Sequence, residues 1–368
     1  MFLVKPVFLA VLTLGLLVVI PFGCINSESS PRSLFTSTEN KLLKHSPYTS
    51  GPIESSIWQF WDKDEHVPEE ARPLMERWQS VNSPQYTYNY LTLYGVESKL
   101  GYCFKDVPEV LKALDSLPHF QLKYEFMKYL LIYCEGGIYA DINTDLFKPV
   151  RHWFKQPMVD TELLVGVQSD HNADNWHELY NRRLTFGTNI FAAKQYHPFL
   201  AKLIGRITDY ILKSQKQIQA ADWKKRLETL DVASEPVGSF TGPSMFTDVL
   251  LEYLNTKDWK FYFNTAREEQ VFLFPSSDSA TRKDSTGRTV KQGPTIHGPP
   301  NSEGHTFSYR FFTMAVEPAQ IDSTVVLPQI SFNGLIETEK VIPKDQHDDD
   351  DEITRGYLSY YYARSINI

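Results

Sequence analysis

Cysteine is nearly absent from this chain. Three residues in 368 are too few for a disulfide-dense mini-scaffold or a Cys-rich zinc module. Positive charge is also short. Lys and Arg total 37 against 45 Asp and Glu, a formal net charge of −8. With no long basic run, nucleic acid is excluded as the main partner. An anionic small ligand is not excluded, because a metal ion can carry the positive charge. Long apolar runs are limited to one near the N-terminus, and no internal repeat is present. Aromatic side chains, by contrast, are plentiful at 14%, with 20 Tyr and 23 Phe, and 42% of residues are hydrophobic. That composition fills a sizeable core and rules out wholesale disorder. The length allows two domains, but one large α/β domain fits equally well.

Pro6 to Ile25 carries no charge, and about 20 apolar residues span a bilayer as a helix. Lys5 precedes the run and Glu28 is the first charge after it. Residues 1–5 are therefore expected to be a cytoplasmic tail, with the rest of the chain on the luminal side. A cleaved signal peptide is the competing reading. Its apolar region is usually only about 7–15 residues and ends in a small-x-small site, which is not clear here. Residues 6–25 are accordingly read as a transmembrane signal anchor. Residues 26–52, rich in Ser, Thr and Pro, read as a flexible stem. In an oxidising lumen Cys103 and Cys134 have the chance to pair, but Cys134 lies in an apolar helix where a free core thiol is equally at home.

Beyond the stem, strands and helices alternate, which points to a mainly parallel α/β sheet. Ser56 to Trp61 reads as a buried strand, Glu69 to Ser80 as a helix, Tyr86 to Leu93 as a strand and Val107 to Leu114 as a short helix. Phe120, Tyr124, Met127, Leu131 and Cys134 recur at steps of three and four, giving one apolar helix face. Gly136-Gly137 ends that helix. A strand follows from Ile138 and runs into Asp141-Ile142-Asn143-Thr144-Asp145. Another strand is expected around Asn189 to Ala192, and further helices at His197 to Lys213 and from Gly242-Pro243 onward. The block His347 to Glu352 reads as solvated like charge.

Alternate strand residues share a face, and the backbone is expected to turn near Thr144, leaving Asp141 and Asn143 as neighbours. In open α/β sheets ligands bind beyond the carboxyl ends of the strands. Two or three oxygen ligands there suit a hard divalent cation, Mn²⁺ or Mg²⁺, which commonly holds substrate phosphates along with one or two carboxylates. The bland alternative is a polar strand end turning into solvent.

The stretch Tyr124 to Thr144, with its Gly136-Gly137-Ile138-Tyr139-Ala140-Asp141 core, resembles the Asp-x-Asp region of glycosyltransferase family 32, and within it the fungal initiation-specific α-1,6-mannosyltransferases. Ile57 to Trp61, Thr188 to Ala193 with His197-Pro198, and Thr241 to Asp248 resemble further segments of the same family, in the expected order. The resemblance implies a GT-A (Rossmann-like) catalytic domain, placed at 53–310, with 311–368 as a C-terminal extension. It implies a type II Golgi membrane protein whose catalytic domain is luminal. It further implies transfer of a hexose, mannose from GDP-mannose above all, onto a glycan or glycoprotein acceptor with retention of configuration. A possible Golgi enzyme complex is part of the same expectation.

The family's usual Arg-Ala-Asp, Arg-Tyr and Asp-x-Asp elements stand here as Lys123-Tyr124-Glu125, Lys128-Tyr129 and Asp141-Ile142-Asn143. Lys lacks the bidentate fork of Arg, Glu125 reaches one methylene farther than Asp, and Asn143 offers a neutral oxygen where the family has a carboxylate. Carried over residue by residue, the resemblance makes Asp141 and Glu125 the catalytic candidates. Asp141, Asn143 and the loop residue His297 become the metal ligands, with His305 as fallback for the histidine. Gln59, Lys123, Lys128, Tyr139, Asn189 and Gly242 fall on the substrate side. Asp141→Ala is expected to abolish transfer and spare the fold, and Asn143→Asp to tighten Mn²⁺. Two alternatives remain: a non-catalytic Golgi subunit of a mannosyltransferase complex, and a glycosyltransferase that acts on a glycolipid.

Overall fold

A computed structural model describes residues 37–61, 67–153, 160–171, 182–223, 240–257, 281–283, 289–291, 308–333 and 359–366. The expected anchor at 6–25, the candidate ligands His297 and His305, and the acidic run 347–352 lie outside the described residues. No helix among the described residues is long and apolar enough to cross a membrane.

The chain enters through α1 (Ser37–His45), then alternates β1 (Ser56–Trp61), α2 (Arg72–Asn82) and β2 (Thr87–Thr92). Helices α3 (Leu93–Cys103), α4 (Glu109–Ser116) and α5 (Phe120–Glu135) precede β3 (Gly137–Ala140) and β4 (Thr144–Leu146). Next come β5 (Leu163–Asp170), β6 (Leu184–Phe186), β7 (Ile190–Ala193), α6 (Pro198–Lys213), α7 (Gln215–Ala220) and α8 (Pro243–Leu254). A small hairpin, β8 (Thr281–Lys283) with β9 (Thr289–Lys291), is followed by β10 (Ala319–Ile321), β11 (Thr324–Leu327), α9 (Ile330–Asn333) and β12 (Ala363–Ser365).

The central eight-stranded sheet runs β10-β11-β5-β7-β3-β1-β2, with β6 on β5. The pairs β1–β2, β1–β3 and β11–β5 are parallel. Because β7 is antiparallel to both β3 and β5, those two neighbours run the same way. Five strands of the path thus share one direction, and β7 and β10 oppose it. The expectation of a mainly parallel sheet holds in this mixed form.

Alternation along the strands feeds two cores. Tyr139, Phe191, Leu163 and Val165 face the helices α3–α6 and α8. Ile138, Ala140, Ile190, Ala192 and Leu164 face a second layer built on Trp78, Trp153, Phe332 and Tyr362. Helix α5 departs from the single apolar face expected of it: every residue from Phe126 to Cys134 is buried, because α3, α4, α6 and the sheet enclose it. At its end Cys103 and Cys134 do pair, with Cα atoms 6.0 Å apart and a sequence separation of 31. In the chain-entropy account, closing such a loop is worth roughly 3–4 kcal/mol.

The turn out of α5 depends on two glycines. Gly136 and Gly137 have φ of 66° and 97°, a region L side chains avoid. A Cβ at Gly136 would strike the Glu54 carboxylate, and one at Gly137 the Ser56 carbonyl. The chain can therefore pass from helix to strand within one residue, directly against β1.

Two boundaries need correction. Residues 37–52, expected as the end of a flexible stem, are docked. Leu42 is buried, α1 lies on α6, and the hydroxyls of Tyr48 and Ser50 and the amide of Gly51 converge on Glu162. The segment after 310 is not an appendage either. Strand β11 completes the sheet beside β5, and β12 returns to pair antiparallel with β4.

Candidate active site

Strand β3 delivers Tyr139 and Asp141 to the same face, two residues apart, toward α5. The turn closes at Thr144, near where it is expected: Thr144 donates its amide to the Asp141 carbonyl at 3.1 Å. Asp141 therefore stands at the carboxyl end of a parallel strand, and its amide donates to the Asn189 carbonyl just before β7, at 2.8 Å.

A buried lysine organises the charges. Lys128, on α5, is 1% exposed and lies 2.8 Å from Glu125 Oε1 and 3.2 Å from Asp141 Oδ1. Tyr139 donates its hydroxyl to Asp141 Oδ1 at 2.7 Å. Tyr124 donates to the Phe60 carbonyl at 3.1 Å, and its oxygen lies 3.0 Å from that of Tyr139. The Lys128 ammonium also sits over the rings of Tyr124 and Tyr139 at 5.2 and 5.4 Å. On the other side of Glu125, Thr188 donates to Oε2 at 3.0 Å.

Burial would pull the Lys128 ammonium down, but the carboxylates of Asp141 and Glu125 outweigh it and hold the lysine above its ordinary value. Glu125 is pushed up by burial; Lys128 opposes this, Asp141 reinforces it, and the carboxyl ends raised. Both phenols are driven well above the tyrosine range by burial and then by Asp141, so they remain hydrogen-bond donors. The trio holds one cation and two carboxylates. The lysine is sealed, whereas Glu125 and Asp141 keep 15% and 20% of their side-chain surface open. The accessible edge is thus negative and made of oxygen.

The remaining candidates divide into those that support this edge and those that stand apart. Gln59 is fully buried. It donates Nε2 to the Asp141 carbonyl at 3.1 Å and accepts from the Tyr88 hydroxyl at 2.7 Å, so it braces the motif from behind. Tyr139 is also fully buried and reaches the edge only through Asp141. Lys123 is half-buried, on the first turns of α5, and makes no ion pair among the described residues. Asn189 donates to the Ser365 hydroxyl at 2.7 Å. Gly242 is buried and precedes α8 as its cap. Asp145 is turned to Arg77, 2.7 Å away, so it does not stand in for a missing ligand.

Sequence reasoning missed three partners. Thr188 sits inside a quoted motif, but its bond to Glu125 needs the sheet to bring β7 beside α5. Arg77 is one of many exposed helix cations. Residues 363–366 had one signal, the run Tyr360-Tyr361-Tyr362, which is too aromatic for a solvated tail.

The family implies a metal, and the donor set can be tested for it. No group of three or more His, Cys, Asp or Glu poised to hold an ion occurs among the described residues. Asp141 offers Oδ2, which is 3.4 Å from Lys128. Asn143 donates Nδ2 to the Ile366 carbonyl at 3.0 Å, which leaves its Oδ1 as the acceptor end. One carboxylate and one amide oxygen fit a hard cation whose other positions are filled by substrate phosphate and water.

The family described as the glycosyltransferase sugar-binding region containing the DXD motif matches residues 68–160, the span from α2 through Asp141 and β4. Over that span the chain is similar to this DXD-containing glycosyltransferase family. Among its relatives, the protein named "Putative glycosyltransferase HOC1" from Saccharomyces cerevisiae is 32% identical over 247 residues, 62% of this chain and 59% of that protein. The initiation-specific α-1,6-mannosyltransferase of Candida albicans is 28% identical over 82% of this chain and 70% of its own length. That of Saccharomyces cerevisiae is 26% identical over 78% and 74%. The chain thus spans about three fifths of the first relative. Among solved structures, the PaToxG glycosyltransferase superposes with a TM-score of 0.37 at 16% identity, covering 59% of this chain and 74% of that one. Within the matched span, the chain's counterpart of the DXD motif reads Asp-Ile-Asn.

Proposed function

We propose that this protein is a metal-assisted, retaining glycosyltransferase of GT-A type. It moves a hexose, mannose from GDP-mannose, onto a glycan acceptor of the N-glycan outer chain, as an α-1,6-mannosyltransferase. The observation that carries the reading is the sealed lysine holding Asp141 and Glu125 as a half-open pair at a strand's carboxyl end. The names of the mannosyltransferase relatives support the sugar and linkage. The uncharged run at 6–25 and the disulfide support a luminal, membrane-anchored Golgi protein.

Asp141 and the Asn143 oxygen would hold the cation, Mn²⁺ or Mg²⁺, which when bound neutralises charge on the departing diphosphate. The chain's own residues prepare this. Lys128 and Tyr139 fix the rotamer of Asp141, so its more open oxygen Oδ2 is preorganised rather than mobile. Glu125, with its raised carboxyl, is suited to exchange a hydrogen bond with a donor-sugar hydroxyl while Thr188 holds its other oxygen. Lys123, at the open end of α5, is placed to approach a phosphate. Glu125 and Asp141, the two carboxylates described at this edge, are both paired with Lys128, which favours attack on the same face as departure, with the leaving phosphate taking the acceptor proton.

The test is transfer by the full chain from GDP-mannose to a mannose oligosaccharide, with Mn²⁺ and with EDTA, against a panel of other nucleotide sugars. Transfer is expected with GDP-mannose, lost in EDTA, and reduced at least a thousandfold in Asp141→Asn. A chain that transfers from none of the donors and binds no nucleotide in either condition refutes the reading and leaves a scaffolding subunit. Product analysis separates a glycan from a glycolipid acceptor.

A further inference from the structure

The motif's departure from Asp-x-Asp has a counterpart 223 residues away. Asn143 donates its side-chain amide to the Ile366 carbonyl at 3.0 Å, and its own carbonyl accepts the Ile366 amide at 2.9 Å. A carboxylate at this position has no proton to donate and would set an anion against the carbonyl oxygen. On the far side of Asp141, Asn189 donates to Ser365 at 2.7 Å. Strand β12 joins these two contacts, pairing Ser365 with Thr144, Arg364 with Asp145 and Ala363 with Leu146. Its base is fixed by Tyr362, which is fully buried against Trp153, accepts the amides of Phe147 and Lys148, and donates its own amide to Ser331. The Asp141 turn thus has its own amide bond to Asn189 on one side and a C-terminal strand on the other, with an asparagine at each junction.

We infer that Asn143, besides offering its oxygen to the cation, positions the site through its amide end, and that β12 with Ile366 is a fixed part of the donor site which holds the Asp141 turn in register. On this view Asn is retained at 143 because it can bond to the tail in both directions. The inference deepens the proposed function and rests on it for the word donor; the clamp itself does not.

The experiment uses the full chain and two variants at opposite ends of the sequence. Asn143→Asp removes the donated bond, and Ile366→Pro removes the amide that reaches Asn143 without touching the motif. The first readout is hydrogen exchange at the amides of Asp141, Thr144 and Ile366 (Asn143→Asp only, for the last). The second is the affinity for GDP at saturating Mn²⁺, together with the Mn²⁺ concentration that gives half-maximal binding. Both variants are expected to speed exchange at Asp141 and Thr144 at least tenfold and to weaken GDP about tenfold. The Mn²⁺ requirement should not improve in Asn143→Asp, and the overall melting transition should stay cooperative. Unchanged exchange at Asp141 and Thr144 in Ile366→Pro overturns the clamp. So does an Asn143→Asp protein that needs less Mn²⁺ while its tail remains protected. If the unmodified chain binds no nucleotide, the proposed function fails, and the exchange arm still decides the clamp.

Discussion

Glu125 and Glu162 are both buried acids surrounded by hydrogen-bond donors, yet their surroundings do opposite things. Burial would raise Glu162, but hydrogen bonds from Ser50, Tyr48, Ser323 and the Gly51 amide bring its carboxyl down to about 2. All of these donors are neutral, they saturate both oxygens, and they pin residues 48–51 to the body of the domain. Around Glu125 burial is the largest influence and raises the carboxyl, Asp141 adds to it, and the one cation Lys128, shared with Asp141, does not cancel them. A neutral cage around one anion gives a finished structural joint. One cation split between two anions leaves unspent negative charge, which a ligand can use. The lesson is to look for function where a buried charge balance is left open.

The largest effect should come from breaking the open balance. Lys128→Met leaves Glu125 and Asp141 facing each other without a counterion, and removing one partner from a buried ion pair costs about 3–5 kcal/mol. Denaturant unfolding should show that loss, and transfer should vanish. The same reasoning revises the expectation for Asp141→Ala, which deprives Lys128 of a partner and should no longer spare the fold.

A smaller effect is expected at the closed joint. Glu162→Gln should cost about 1–3 kcal/mol, the usual cost of disrupting a buried hydrogen-bonded group, with the kinetics of transfer unchanged. The pH response gives the sign. The folded carboxyl titrates near 2, against an ordinary 4.5, so acid protonates the unfolded chain first. The contribution of Glu162 is complete above about pH 5 and is lost as pH falls from 4.5 toward 2. Melting temperatures of the natural chain should drop over that interval more steeply than those of Glu162→Gln. Equal slopes would mean that Glu162 carries no charge-dependent stability.

The smallest effect belongs to Arg77, whose side chain is 48% exposed. Arg77→Ala should change stability by less than about 1 kcal/mol and leave transfer as it was. A large loss of activity there would bring Asp145 back into the site and blur the contrast between the two acids.

Most of the frame was legible along the chain. Strands at 56–61, 87–92, 137–140 and 190–193 fell where alternation or apolar runs placed them, because a strand buried between two cores is apolar along most of its length. The Gly136-Gly137 pair announced the helix end, and Asp141, Glu125, Lys128 and Tyr139 do meet. Four things were not legible. Helix α3 buries only Val96 and Leu100 and exposes Tyr94 and Tyr102, so its period is faint. The direction of β7 is invisible to periodicity, which is the same for either sense. Gln59 and Tyr139 looked like ligand contacts, but from sequence a residue that touches a ligand cannot be told from one that aims its neighbour. The return of β12 rests on bonds across more than 200 residues, and no local pattern encodes a partner that far away.

That return has a practical edge. Anything appended after residue 368 is leashed within two residues of Ile366, and therefore beside the asparagine that flanks Asp141. A purification handle or fluorescent partner fused there would crowd the chemistry.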